Sequence, residues 1–147
     1  MNITTTRLTL LVNRFLAAVM VVLLFALPRI LDWYITLRPN LRPSASLAIL
    51  ISFYCCALAV FPALWNLDVL LRNILQRNIF VRRNVAAIRH VRWCCLAVSA
   101  ICFPAAFFYP PLAFMSIIMF FLTLILSVLG AVMAAAVEIR EENDLTV

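Results

Sequence analysis

Charged residues in this chain fall into clusters separated by long apolar gaps. Between Arg14 and Arg29 lie 14 uncharged residues, between Arg42 and Asp68 lie 25, and between Arg92 and Glu138 lie 45. The first gap gives only about 21 Å of helix. It spans a bilayer if Arg14 and Arg29 snorkel to opposite headgroup layers and the helix starts near Leu8. The second gap holds a full span. The third is too long for one helix, and Pro110-Pro111 divides it because neither ring has a backbone N–H to donate. The pattern predicts four spans, roughly residues 8–31, 47–71, 93–109 and 112–137, each close to the ~20 residues a bilayer requires. That is an all-α, integral membrane four-helix bundle. The first span leaves through FALPRIL, which has no A-x-A-like cleavage site, so a retained anchor is expected rather than a signal peptide.

Between spans 2 and 3 the pattern changes. Beyond Leu67, apolar residues recur at Leu70, Leu71, Ile74, Leu75 and Ile79, with Asp68, Arg72 and Gln76 opposite. This periodicity predicts a short amphipathic cytoplasmic helix lying along the membrane surface, within a basic connector of residues 72–92. Asp68 and Arg72 are one turn apart and are expected to pair, for a few tenths of a kcal/mol. A break is expected near Phe80–Arg83, with Asn84 as the N-cap of the stretch entering the third span.

Composition excludes the soluble alternatives. Of 147 residues, 67% are apolar and 12% charged, against about 45–50% and about 25% in soluble domains. The mean hydropathy is +1.10. One glycine and an almost continuous apolar text exclude a linker, a collagen or a disordered chain. The net charge is +6, and every basic residue is arginine. Placing Arg72–Arg92 in the cytoplasm puts nine arginines inside and leaves Arg29, Arg38 and Arg42 outside. The positive-inside rule then sets both termini in the cytoplasm. Trp33 and Tyr34 outside, and Trp65 and Trp93 inside, fall where aromatic belts form.

The polar chemistry is concentrated on that face. The connector carries Arg72, Arg77, Arg82, Arg83, Arg89 and Arg92, and the tail 138–147 carries Glu138, Glu141, Glu142 and Asp144. Two readings of the arginines stand: an insertion signal attracted to anionic lipid headgroups, or a docking surface for a cytoplasmic protein. The acidic tail either clamps the basic loop or is held by nothing. In the fourth span Ser127, Gly130, Ala131, Ala134 and Ala135 form a small-residue stripe that favours close helix contact, within the bundle or between protomers.

Catalytic and metal signatures are missing. No hydrolase, metalloprotease or phosphate-loop motif and no carboxylate pair occurs. Cys55, Cys56, Cys94, Cys95 and Cys102 lie in apolar spans without C-x-x-C spacing, so packing rather than metal or redox chemistry is expected. His90, among arginines, reads as an interfacial filler. Span interiors hold no titratable acid, base or histidine, which leaves a proton relay without parts. Ser52, Ser99, Ser116, Thr123 and Ser127 can bond back to their own helices. Pro62 and Pro104 are expected to kink spans 2 and 3. No cofactor and no direct contact with nucleic acid is expected, since a short membrane hairpin offers no groove-reading module.

The run LLRNILQRNIFVRRNVAAIRHVR, together with the ending AVEIREENDLTV, resembles a bacterial membrane-protein family catalogued as domain of unknown function 2975. The matching features are the leucine-rich exit from span 2, then Asn78-Ile79-Phe80, Asn84-Val85 and Ile88-Arg89, and the closing Asn143-Asp144-Leu145. The resemblance covers nearly the whole chain. It implies a small four-helix protein of the bacterial inner membrane, with member genes often beside a gene for a small helix-turn-helix regulator. It carries no active site. The expected function is therefore non-enzymatic: a regulatory or tethering partner that docks a cytoplasmic protein through the basic loop and acidic tail. The alternative is a subunit of a transporter or small channel, with Pro62 and Pro104 shaping its path.

Overall fold

The computed structural model describes residues 3–37, 43–76 and 81–145. They form four helices: α1 (Ile3–Leu37), α2 (Pro43–Leu75), α3 (Arg82–Ala105) and α4 (Pro111–Leu145), with no strand among the described residues. Long apolar stretches with few breakers favour helix throughout, because in lipid each backbone group must find its partner within its own segment. At 1.5 Å per residue, the 35 residues of α1 or α4 extend about 50 Å, well past a hydrocarbon layer of about 30 Å. All four helices are long and apolar enough to cross a membrane.

Which side chains are inside identifies the solvent. Small and polar residues are buried, among them Ala57, Ala87, Ala105, Ser52, Ser99 and Ser116. Large apolar ones face outward, with Phe25 and Phe107 each 82% exposed and Leu58 77% exposed. Water would not tolerate apolar surface on this scale. Lipid does, and helices in lipid associate through small residues and interhelical hydrogen bonds. The chain is a multi-pass membrane protein.

The four-helix bundle is an open, antiparallel row. Each helix packs on its neighbours in sequence, and among the described residues helices further apart in the chain make no close backbone approach. Cross-links fix the hairpins. Arg14 near the start of α1 meets Asp68 late in α2, and Tyr54 donates to the Leu24 carbonyl at 3.0 Å. At the opposite end the Tyr34 and Tyr109 hydroxyls are 3.3 Å apart. The start of α1, the end of α2, the start of α3 and the end of α4 thus share one end of the row.

Three local expectations are corrected. The amphipathic stretch after Leu67 is not a separate surface helix: α2 continues unbroken through it to Leu75. Its inner face is occupied by α3 rather than by headgroups, with Leu71 buried. Asn84 is not an N-cap, since α3 starts at Arg82 after an extended Val81 (φ −131°, ψ 139°) and has no side-chain cap. Pro104 does not kink the middle of a span, because α3 ends at Ala105. The chain then turns through Phe108 and Tyr109, whose N–H groups both donate to the Ala105 carbonyl. Pro111 opens α4, at a first helical position where no N–H is needed.

Candidate functional site

The charged end of the row is assembled from all four helices. At the α1–α2 contact, Asp68 receives Arg72 from its own helix at 2.7 Å and Arg14 from α1 at 3.3 Å. The first is the one-turn pair expected from spacing. Asp68 is largely covered, with its side chain 16% exposed, while both arginines remain open. Beside this triad, buried Asn13 donates to the Leu64 carbonyl at 3.1 Å, and its Oδ1 has no hydrogen-bond partner.

Asn84 is fully buried, at 0% exposure, between α2 and α3. Its Oδ1 accepts from Asn73 Nδ2 at 2.7 Å. Position 84 therefore locks the end of α2 to the start of α3. Arg82 and Arg83, two positions and one position earlier, are left projecting from that lock and are exposed.

The acidic tail is the last part of α4, which runs as helix to Leu145. Arg82 meets Glu141 in a two-pronged contact, Nε to Oε1 at 2.8 Å and Nη2 to Oε2 at 2.5 Å. Planar guanidinium and carboxylate match in this geometry. The hydrogen bonds from Arg82 lower the Glu141 pKa below its ordinary value of 4.5. The same contact raises that of Arg82, and Glu138 one turn earlier adds to its field. Both groups lie beyond the apolar parts of their helices. An acid with a depressed folded pKa contributes stability above its unfolded pKa, and loses it as pH falls through the lowered value. The pair is thus expected to persist at neutral pH and to open only in acid below the ordinary carboxylate range. A carbon-detected NMR titration of Glu141 should show its midpoint below that of an Arg82→Gln variant; equal midpoints would contradict the pairing.

Along the α3–α4 contact, Arg92 donates to Ser127 Oγ at 3.3 Å and lies 5.6 Å over the Trp93 ring. Arg89 and Arg83 are exposed and have no carboxylate partner among the described residues. The small-residue stripe is divided. A Cβ at Gly130 would meet Ile88 Cγ2 at 3.5 Å, so Gly130 faces α3. Ser127 is half-buried, while Ala131, Ala134 and Ala135 are exposed. His90 is exposed, and its ring Nδ1 lies 2.8 Å from the Ala86 carbonyl of its own helix. Arg77 and the side chain of Asp144 lie outside the described residues. Glu142 is exposed on the last turns of α4.

A sequence model for the family described as Protein of unknown function (DUF2975) matches residues 16–147. The chain belongs to that family. The match takes in every arginine and acid of the α2–α3–α4 end and leaves Asn13 and Arg14 just before it. No curated protein and no solved structure matches the chain. The DUF2975 description names no activity, so residue roles rest on geometry.

That geometry also contains contacts with no forerunner in the spacing. Ser99 and Ser116 bond across the α3–α4 interface rather than to their own helices. Thr123 does bond to its own helix, at the Met119 carbonyl. The Cys56 and Cys102 sulfurs approach to 3.8 Å between α2 and α3. Among the described residues no three of His, Cys, Asp or Glu converge as metal ligands. Asn13, a lone amide in the apolar text LVNRFL, was a signal available in the sequence; it marks where α1 attaches to α2.

Proposed function

We propose that this DUF2975 chain is a non-enzymatic regulatory or tethering partner in a bacterial inner membrane. The arginine-rich end and both termini face the cytoplasm, and that end docks an acidic surface of a cytoplasmic protein. A helix-turn-helix regulator is the kind of partner that the family resemblance implies. One observation carries the reading: a surplus of exposed arginine at a rigid rim. Arg82 is occupied by Glu141, whereas Arg83 and Arg89 project without carboxylate partners among the described residues. The buried Asn73–Asn84 contact fixes the start of α3, so the rim is preorganised. Pro62 and Pro104 are both exposed on the outer helix surface, which does not favour the transporter alternative.

Orientation is tested with reporter fusions after residues 40 and 80; a cytoplasmic signal at the first would overturn it. Docking is tested by pull-down from solubilised membranes. Glu141→Gln frees Arg82 and should strengthen capture of the partner modestly, because solvent screens an exposed pair. Changing Arg82, Arg83 and Arg89 together to alanine should weaken capture, and capture by the unmodified chain should fall as salt rises. Unchanged capture by the arginine variant would leave these residues as topology signals alone.

A further inference from the structure

Three depressions join end to end along the seam of α3 and α4. The widest, of about 460 Å³, lies at the Arg82–Glu141 rim. It shares Val85, Arg89 and Ala134 with a middle section of about 240 Å³. That section shares Arg92 and Ser127 with an inner one of about 170 Å³, which ends among Trp93, Leu96, Thr123 and Leu124. Charge is distributed unevenly along this groove. The acids Glu138 and Glu141 line only the outer section, where Glu141 is already bonded to Arg82. The middle section has Arg89 and Arg92 on one wall, the Ser127 hydroxyl on the other, and no carboxylate.

Depth sets the chemistry of the occupant. Ser127 precedes Glu138, the first charged residue of α4, by eleven positions, which is about 16 Å along a helix. Arg92, held to Ser127, therefore reaches down beside a helix that is apolar on every side. A cation at that level needs an anion or a route to headgroups. Exposed Ala131 and Ala134 line the groove and leave room in it instead of filling it. Arg92 is braced by Trp93 and Ser127, and Arg89 has no partner among the described residues. Since Ser127 Oγ accepts from Arg92, its own O–H remains able to donate.

We propose that this groove holds one anionic membrane phospholipid. Its phosphate sits between Arg89 and Arg92, with the Ser127 hydroxyl donating to it, and an acyl chain follows the crease past Leu96 and Leu124. Basic pockets between helices at the cytoplasmic boundary suit such headgroups. The assignment does not depend on a protein partner: it shares Arg89 with the proposed docking rim, but Arg92, Ser127 and the crease beyond them belong to the inner seam alone.

The test uses the full chain in nanodiscs of phosphatidylcholine with or without phosphatidylglycerol, read by native mass spectrometry after release. The unmodified chain should retain one phosphatidylglycerol in preference to phosphatidylcholine. Arg89→Gln with Arg92→Gln should abolish the preference, and Arg83→Gln, outside the groove, should keep it. Ala131→Leu with Ala134→Leu keeps every charge but fills the crease, and should also lose the lipid; this arm decides if the arginine variant does not fold. Equal loss with Arg83→Gln would replace the site with diffuse attraction and overturn the proposal. Glycerol phosphate competing as well as the lipid would make this a site for a soluble phosphate. Dimers that vanish with the alanine-to-leucine variant, without bound lipid, would assign the groove to a second copy. No preference in the unmodified chain would also overturn the proposal.

Discussion

Replacing Asn84 with leucine is expected to destabilise the folded chain by about 1–3 kcal/mol, the cost of leaving a covered amide without its partner. Leucine keeps the branching of asparagine but is bulkier, so overpacking adds to the lost hydrogen bond. Asn84 is 0% exposed, and its carbonyl oxygen is the acceptor for Asn73 Nδ2 at 2.7 Å. Once it is gone, the half-buried Asn73 amide faces an apolar branch. Replacing both asparagines removes the stranded group along with the bond. The double variant should therefore be less damaged than the sum of the singles, by a coupling of about 0.5–3 kcal/mol. Unfolding of the four variants in mixed micelles gives the cycle. Strict additivity would mean that the contact does not hold α2 to α3. The same substitution should loosen Arg82 and broaden the Glu141 signal, because the start of α3 positions that arginine.

Ser116→Leu is expected to cost about 1–3 kcal/mol through overpacking, whereas Ser116→Ala should cost only ~0.6 kcal/mol, a typical interhelical hydrogen bond in a membrane. The contrast follows from two functions of the same side chain. Ser99 Oγ donates to the Ser116 carbonyl at 2.9 Å, and Ser116 Oγ donates to the Ser99 carbonyl at 3.0 Å. The two hydroxyl oxygens are 3.2 Å apart. Alanine loses a bond but keeps the close approach. Leucine forces the backbones apart, and the groove further along the seam should lose its shape with them. Equal costs for the two variants would show that hydrogen bonding, not proximity, holds α3 to α4.

Much of the architecture was legible because charge and proline are one-dimensional signals. The gaps between charged residues, divided at Pro110-Pro111, indicated four helices, and that proline pair marked the start of α4 at Pro111. The Asp68–Arg72 pair followed from helical spacing alone. What failed depended on neighbours far along the chain. Asn84 has the chemistry of a cap, and only the approach of Asn73 from α2 shows that it is an interhelical tie. Leu70, Leu71, Ile74 and Leu75 have the same periodicity whether they face headgroups or another helix, so the reading as a surface helix was wrong while the helix itself was right. Ser99 and Ser116 could each have bonded within their own helices; their registry across α3 and α4 is not visible in either segment alone. At the candidate site, the arginine set was legible as composition. Its division into a paired Arg82, a braced Arg92 and unpartnered Arg83 and Arg89 required the helix seam.

Among the described residues close backbone contact is confined to successive helices, and this has a consequence for biogenesis. Each interface is complete when its second helix enters the bilayer, so α1 and α2 can settle before α3 has been made. No step must bring the two ends of the chain together, apart from the Tyr34–Tyr109 hydroxyl contact at the far end. The entropic cost of closing long loops, which slows folds with distant contacts, is largely avoided. Assembly can then follow the order of synthesis, one hairpin at a time. Since α1 makes close backbone contact with α2 alone among the described residues, a chain that loses it would still have the complete α3–α4 seam.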